Sequence, residues 1–371
     1  MHLHVIAHEP PLPAIFGSRI DMFYKIKHLA ATGVRIHLHY FDTEPYRMYE
    51  LEDLTQSITC YPIKSLLRTL PVQYPHSVKA RADQRMLEQL LMDDSPILFE
   101  GLSSTYFLSH PGFTNRKKIV RLPFIDWEFC YQLAQHEPSY LQKKFLLAES
   151  RQLQHFEGTL PYADTLLTAS PKATDYYSEK FEDVEYLPIF HAQNQVTSQI
   201  GSGAFSLYHG NLSVPDNVQS CLFLIEEVFS HLPEQRLYIA GADPHPDLIT
   251  AASAYQNVRL YPNPGQQELL DLQRDAHIHV LPTFQATANH VKLITSLFSG
   301  RFVLTNPAMV HQTGLESITE VATSPEEFIR MIRGFFHQEF TAMDIAERKG
   351  VLLNHFDNAR NALRIKELIS S

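Results

Sequence analysis

The segment FQATANHVKLITSLFSGRFVLTN, residues 284–306, combines a polar loop, an apolar helix pattern and a lysine near the helix start. It follows a strand-like run at 278–282 and leads into a second strand-like run at Phe302. Backbone N–H groups at a helix start lack intrahelical partners and, with the helix dipole, favour an anion. The N–H groups of 288–291 and the ammonium of Lys292 therefore suit a diphosphate. The alternative is that Asn289 caps the helix and Lys292 is solvated.

Other small or polar residues follow predicted strands, where parallel sheets bind ligands. Gly17 lies in a Pro-rich loop after the first strand and lets a backbone approach a ligand closely. Gly210 and Asn211 follow one strand of the second half and Gly241 follows the next. All three are better explained as strand–helix turns than as site residues, unless they line the same cleft. The loop before Lys292 offers further polar side chains: Thr283, Gln285, Thr287, Asn289 and His290.

The stretch VRLPFIDWEF, residues 120–129, places Arg121 and Asp126 near a strand end in the first half. Asp126 is predicted either to cap the next helix or to be a cleft carboxylate. Trp127, the single tryptophan, lies between apolar neighbours, which favours a core position over stacking on a sugar.

The chain has 20 histidines, and three His-x-His pairs, at 2 and 4, 37 and 39, and 277 and 279, lie on predicted strands. Alternate residues of a strand share a face, but no carboxylate accompanies these pairs at a ligand-like spacing, so we expect no metal site. The three cysteines are far apart and indicate a reducing compartment rather than a disulfide framework.

Strand and helix patterns alternate along the whole chain, which indicates parallel sheets covered on both faces. Residues 191–206 are polar and without periodicity, so they are predicted to link two doubly wound domains that face each other across a cleft. We expect domains at 1–195 and 203–350, and a C-terminal helix at 351–371 that packs back toward the first domain. Strands are predicted at 3–7, 34–41, 97–99, 119–122, 165–168, 205–208, 236–240, 258–260, 278–281 and 302–305.

Composition excludes several classes of function. Of the 371 residues, 44% are hydrophobic and 19% charged, which is ordinary for a globular protein. The formal net charge of −10 argues against a nucleic-acid partner. The N-terminus lacks the pattern of a signal peptide, and no apolar segment reaches the ~20 residues that span a bilayer.

The chain as a whole resembles GT-B glycosyltransferases of the retaining family 4 type, and within them a bacterial branch found in Bacteroidetes-like genomes. The stretch PAIFGSRIDMFYKIKHLAATGVRIHLHYF resembles the opening loop, helix and second strand of that branch. The stretch YHGNLSVPDN resembles the start of its C-terminal domain, and HIHVLPTFQATANHVKLITSLFSGRFVLTN resembles its donor-binding unit.

The resemblance implies a hexosyltransferase of polysaccharide biosynthesis that moves a sugar from a nucleotide diphosphate sugar to a glycan or lipid-linked acceptor. It implies retention of configuration, no metal and no cofactor, with helix N-termini and Lys292 stabilising the leaving diphosphate. Asp126 and Lys292 would be the catalytic residues, and Gly17, Arg121 and Asp126 would face the reaction centre. The donor would be bound by Lys292, by the loop residues Thr283, Gln285, Thr287, Asn289 and His290, and by Gly17, Arg121, Gly210, Asn211 and Gly241. Such enzymes are cytoplasmic, and a peripheral contact with the inner membrane is left open.

Several positions depart from the family pattern. Two family glutamates correspond to Thr287 and Thr295, and a motif Arg-x-His-Asn-x-Glu corresponds to Arg121–Asp126 without its histidine. Each loss removes a polar contact available to a transition state. The rival interpretation is therefore a catalytically degenerate GT-B protein that acts as a binding or assembly subunit. A GT-B epimerase would need more carboxylates and histidines than the loops provide.

Overall fold

The computed structural model describes residues 1–14, 17–44, 47–65, 74–284, 291–311 and 313–370. Contacts divide the chain into two compact units, one formed by Met1–Phe190 with the segment from Asn358, the other by His191–Asp357. Each unit contains one sheet whose neighbouring strands pair parallel, with 7 strands in the first and 6 in the second. In the described part of the chain, no helix is long and apolar enough to cross a bilayer.

The first domain has the strand order β3-β2-β1-β4-β5-β6-β7. Its strands are β1 (His2–Ala7), β2 (Arg35–Asp42), β3 (Ser57–Pro62), β4 (Ile97–Glu100), β5 (Lys118–Leu122), β6 (Thr165–Thr168) and β7 (Val184–Tyr186). Its helices before the domain boundary are α1 (Gly17–Ala31), α2 (Tyr49–Glu52), α3 (His76–Lys79), α4 (Gln84–Leu90), α5 (Asp126–His136), α6 (Tyr140–Phe156) and α7 (Pro171–Ser178). Two apolar clusters cover the two faces of this sheet.

The second domain has the strand order β10-β9-β8-β11-β12-β13. Its strands are β8 (Ser206–Asn211), β9 (Leu237–Ala242), β10 (Val258–Pro262), β11 (Ile278–Val280), β12 (Phe302–Thr305) and β13 (Glu320–Val321). Its helices are α8 (Pro215–Phe223), α9 (Pro246–Ser253), α10 (Gln266–Asp275), α11 (Val291–Ser299), α12 (Pro307–Val310), α13 (Pro325–Phe335) and α14 (Ala342–His355). Gly300, after α11, admits no side chain because a Cβ there would lie 2.4 Å from the His279 ring.

The last helix, α15 (Asn358–Ser370), belongs to the first domain. Its apolar side chains Ala362, Ile365 and Ile369 join the cluster that contains α1. The Lys366 ammonium also donates to the Thr32 carbonyl at 2.6 Å. The C-terminal helical pattern is therefore two helices: α14 ends at His355 in the second domain, and α15 packs on α1 in the first.

The polar segment 191–206 was predicted as a linker, but its last residue begins β8 and the residues before it are attached to the second domain. The Thr197 N–H donates to the Phe298 carbonyl at 2.7 Å, and Gly201 and Phe340 exchange two backbone hydrogen bonds. The Gly203 N–H donates to His277 Nδ1 at 3.0 Å. Backbone hydrogen bonds replace an apolar pattern here, which is why sequence periodicity does not indicate the packing.

The histidine pairs of β1 and β2 form a stacked column with neighbouring ring centroids 4.9–5.8 Å apart, in the order His2, His37, His4, His39 and Tyr61. His4 Nε2 lies 3.2 Å from Asp93. Burial lowers the pKa of His39 to about 3, so its ring is neutral at pH 7. No group of His, Cys, Asp or Glu in the described ranges could hold a metal ion, and the column is a packing feature of the sheet.

Candidate functional site

The carboxyl ends of β8 and β9 are held together by two glycines. Gly210 and Gly241 are register partners, and a Cβ on Gly241 would lie 1.8 Å from the Gly210 carbonyl oxygen. Asn211 then ends β8 with a turn in which its Oδ1 accepts from the N–H and the hydroxyl of Ser213, at 2.9 and 2.7 Å. These three predicted site residues thus fix the backbone at the edge where a parallel sheet presents its ligands.

Lys292 is joined to this edge through Asn217 of α8. The Asn217 amide donates to the Asn211 carbonyl at 2.8 Å, while its Oδ1 accepts from Lys292 Nζ at 2.7 Å and from the Tyr208 hydroxyl at 2.8 Å. Lys292 Nζ also donates to the Tyr208 hydroxyl at 3.0 Å. The lysine therefore connects the first turn of α11 to β8 and to the start of α8.

The positive charge of Lys292 has no ion-pair partner among the described residues. The residue is half-buried, and burial lowers the pKa of its ammonium, against the opposing effect of the Asp216 charge. Its hydrogen-bond partners are the neutral oxygens of Tyr208 and Asn217, and no Asp or Glu among the described residues forms an ion pair with it. A cation in such surroundings gains from an anionic ligand, because a second charge offsets the loss of hydration.

Asp216 fixes the backbone that leads into the loop before Lys292. Its Oδ2 accepts from the Thr283 hydroxyl at 2.7 Å and its Oδ1 from the Phe284 N–H at 2.8 Å. Asn306 exchanges two hydrogen bonds with the Thr283 backbone, at 3.1 and 2.7 Å. Thr283 is completely buried, so it positions the loop rather than exposing its own hydroxyl. The predicted contacts at Gln285, Thr287, Asn289 and His290 lie outside the described residues.

In the first domain, Asp126 is the first residue of α5, and its predicted alternative as a helix cap does not hold because Ile125 occupies the cap position. One carboxylate oxygen, Oδ2, is buried without a hydrogen-bond partner. Burial raises the pKa of Asp126 to about 7, although the His8 charge opposes the shift. The carboxyl group is therefore poised between its two protonation states near neutral pH, which suits proton exchange with a bound group.

Arg121 lies in the core of the first domain. Its side chain is 0% exposed, and its guanidinium donates to Asp21 Oδ1 at 3.1 Å and to the carbonyls of Leu187 and Pro188 at 3.0 and 3.1 Å. Asp21 in turn accepts from the Phe190 N–H at 2.6 Å. We therefore assign Arg121 to the internal charge network rather than to the predicted contact with a ligand.

Gly17 begins α1 with a φ of 31°, in the left-handed region that favours glycine. The next two residues, Ser18 and Arg19, donate to the carboxylate of Glu9, which follows β1. Burial alone would raise the pKa of Glu9, but the hydrogen bonds from His8, Ser18 and Arg19 outweigh it, and the pKa falls to about 2. The start of α1 is thereby tied to the carboxyl end of β1.

Sequence reasoning did not identify Tyr208, Asn217 and Asn306 as parts of the site, nor His8 and Glu9 near Gly17. Asn217 and Lys292 are 75 residues apart in the chain, and Tyr208 and Lys292 are 84 apart. In the sequence, Tyr208 and Asn217 lie on either side of the turn at Gly210 and Asn211. This spacing indicates that both residues belong to one strand–helix unit, but it does not indicate that a distant lysine contacts both.

No family model matches the chain. A relative in Klebsiella pneumoniae, described as an uncharacterized 44.6 kDa protein in the cps region, is 20% identical over 392 residues and covers 99% of this chain and 97% of its own. That description gives this relative a genomic region and no activity.

Several solved structures share the architecture over the full length. TarM of S. aureus, in complex with fondaparinux, alpha-GlcNAc-glycerol and UDP, has a TM-score of 0.68 at 8% identity and covers 100% of both chains. The lipopolysaccharide outer core galactosyltransferase WaaB has a TM-score of 0.63 at 13% identity, over 99% of this chain and 100% of its own. The catalytic domain of starch synthase IV from Arabidopsis thaliana has a TM-score of 0.63 at 11% identity, over 100% and 98%. With its two parallel sheets and full-length matches, this chain has the two-domain α/β fold of the GT-B glycosyltransferases.

Proposed function

We propose that this protein is a retaining glycosyltransferase that transfers a hexose from a nucleoside diphosphate sugar to a hydroxyl of a glycan or lipid-linked acceptor. Lys292 contacts the diphosphate, and the loop held by Asp216 contacts the sugar nucleotide. The cytoplasm is the proposed compartment, which three free thiols, Cys60, Cys130 and Cys221, would suit.

The observation that carries this proposal is the unbalanced ammonium of Lys292 at the carboxyl edge of a parallel sheet. When the bond between the anomeric carbon and the phosphate oxygen breaks, negative charge develops on the diphosphate. A fixed cation stabilises that charge more than it stabilises the bound sugar nucleotide, and the difference lowers the barrier. The proposed transfer needs no metal, because Lys292 provides the positive charge.

The first domain contributes Asp126 in this proposal. With a pKa of about 7 and a buried oxygen without a partner, its carboxyl group accepts a hydrogen bond from the acceptor hydroxyl. We expect Asp126→Asn to lower transfer at least tenfold while nucleotide affinity stays within twofold. Asp183→Asn, an exposed carboxylate of the same domain, is the matched control.

One observation favours the rival function, a binding or assembly subunit without catalysis. Thr295 occupies a position where family members carry a glutamate, and in this structure its carbonyl accepts from Ser299 Oγ at 2.8 Å inside α11. A threonine has no charge with which to stabilise a cationic sugar. In this alternative, nucleotide binding through Lys292 persists without transfer.

A thermal-shift screen against UDP, GDP, CMP and their sugars, with and without EDTA, tests the proposal. A ligand at a hundredfold excess over its dissociation constant stabilises the folded state by about 2.7 kcal/mol. We expect one nucleoside diphosphate to raise the melting temperature in the presence of EDTA. A binding nucleotide with no sugar transfer would favour the subunit, and a response abolished by EDTA would contradict metal-independent binding.

A further inference from the structure

The outer face of α6 in the first domain is an exposed stripe of apolar and basic residues. Leu141 and Tyr140 are 76% and 66% exposed, large values for apolar side chains. The exposed residues recur at helical spacing along the whole helix: Leu141, Lys144, Phe145, Ala148, Arg151 and His155. A stripe of this kind is unusual on a surface that faces water alone.

Acidic residues are missing from the exposed face of α6. The one carboxylate of the helix, Glu149, is 5% exposed and points inward, where it accepts from the N–H groups of His76 and Ser77 at 2.7 and 2.8 Å. The two basic residues of the stripe, Lys144 and Arg151, form no ion pair with any residue in the described ranges. A chain with a formal net charge of −10 thus has a locally basic face.

Aromatic side chains with apolar bodies and polar tips border the start of the stripe. Lys144 Nζ lies 4.4 Å from the centroid of the Tyr140 ring, so the lysine stem and the ring extend together. Tyr131 is 45% exposed and lies on the neighbouring helix, α5. A hydrogen bond of 2.7 Å from Ser150 Oγ of α6 to the Trp127 carbonyl of α5 joins the two helices. The combination of Tyr, Leu, Phe and Lys is typical of helices that lie in the headgroup region of a bilayer.

We infer that this stripe on α6 is a docking surface for an anionic lipid membrane. The apolar residues near the start of α6 enter the headgroup region, and Lys144 and Arg151 attract anionic lipids. A second copy of the chain is a poorer occupant, because stripe-to-stripe contact would place basic residues against each other. The helix α6 belongs to the first domain and Lys292 to the second, so this inference does not depend on the proposed donor.

The test is co-sedimentation of the full chain with vesicles of phosphatidylcholine alone or mixed with phosphatidylglycerol, at about 0.1 M and higher salt. We expect binding to the anionic vesicles that weakens with salt. Lys144→Gln with Arg151→Gln should lower the partition coefficient at least about tenfold, from ~1 kcal/mol per basic residue. Leu141→Gln with Phe145→Gln should lower it similarly.

The matched controls are Lys27→Gln with Lys349→Gln, and Leu363→Gln, all exposed residues of other helices that should leave binding unchanged. The melting temperature of every variant, measured without ligand, verifies an intact fold. The inference is overturned if the parent protein stays in the supernatant or if the stripe variants bind as well as the controls. It is also overturned if sedimentation velocity shows a dimer without lipid that the Leu141→Gln, Phe145→Gln variant dissociates.

Discussion

Two lysines, one in each domain, have an ammonium group that is partly or fully removed from water. The charges of the two groups are balanced in different ways. Lys25 on α1 is 0% exposed, and its Nζ lies 2.8 Å from both oxygens of Glu100 and 3.2 Å from Asp21. Lys292 on α11 is half-buried and donates to the neutral oxygens of Tyr208 and Asn217. The charge of Lys25 is balanced by the fold itself, whereas that of Lys292 is available to balance a ligand.

The first network is closed as well as buried. Lys25 and Arg121 provide two positive charges, and Asp21 and Glu100 provide two negative charges. Burial would raise the pKa of Asp21, but Arg121 and Lys25 outweigh it, so the carboxyl group remains ionised. A buried group of this kind is a structural element, and the comparison predicts opposite responses of the two lysines to substitution.

The largest expected effect is on the stability of the first domain. Lys25→Met leaves the buried carboxylate of Glu100 without its cation and should lower the free energy of unfolding by about 3–5 kcal/mol. The fluorescence of Trp127, the single tryptophan, reports urea unfolding of this domain. Lys27→Met, on the exposed side of the same helix, should change it by less than about 0.5 kcal/mol. A loss below 1 kcal/mol for Lys25→Met would contradict the closed network.

An intermediate effect is expected on the pH dependence of nucleotide affinity. Lys292 has a lowered pKa in the free protein because of burial, and only its charged form attracts a diphosphate. Nucleotide affinity should therefore be retained below this pKa and fall about tenfold per pH unit above it. The fall should start at a lower pH than it would for an ordinary lysine, whose pKa is about 10.4. Isothermal titration across alkaline pH measures the fall, and Lys292→Arg should shift it to higher pH. Affinity that stays constant to pH 10 would oppose a role for the ammonium.

A smaller effect is expected from the residue that positions the donor loop. Asp216→Asn keeps one acceptor oxygen and loses the other, so either Thr283 or Phe284 loses its partner. Nucleotide affinity should fall by about 1 kcal/mol, the typical net value of one hydrogen bond. Asp247→Asn is a close control, because Asp247 also follows a proline in the first turn of its helix but is exposed. Equal effects of the two substitutions in a binding titration would remove Asp216 from the site.

The sequence predicts the regular elements best where apolar patterns are strong. Strands β6 and β12 occur with the predicted bounds, and α11 forms where the apolar helix pattern within 284–306 predicts a helix. The strands β3, β7 and β13 were not predicted, because they are edge or near-edge segments with polar or short patterns. The parallel α/β character follows from alternation alone, since it needs only the type and order of the elements.

The candidate site is less predictable than the fold, because its side-chain partners are distant in the chain. Lys292 is identified by its place near a helix start, but its partners Tyr208 and Asn217 depend on strand order. Arg121 shows the converse: its position near the end of a buried strand indicates a ligand contact, while the structure pairs it with Asp21, 100 residues away. Local patterns give the position of a charged residue, and only the tertiary structure gives its counter-charge.

The most direct test of the central claim is Lys292→Met, studied by nucleotide titration and by calorimetric melting of the free protein. The account predicts that affinity for the nucleoside diphosphate falls by about 1.5–3 kcal/mol, the range for a hydrogen bond to a charged group. It also predicts that the free protein melts at the same or a higher temperature, because an uncompensated charge is removed. Lys349→Met, an exposed lysine of the same domain, should change neither. Unchanged affinity, or a loss of stability as large as that of Lys25→Met, would contradict it.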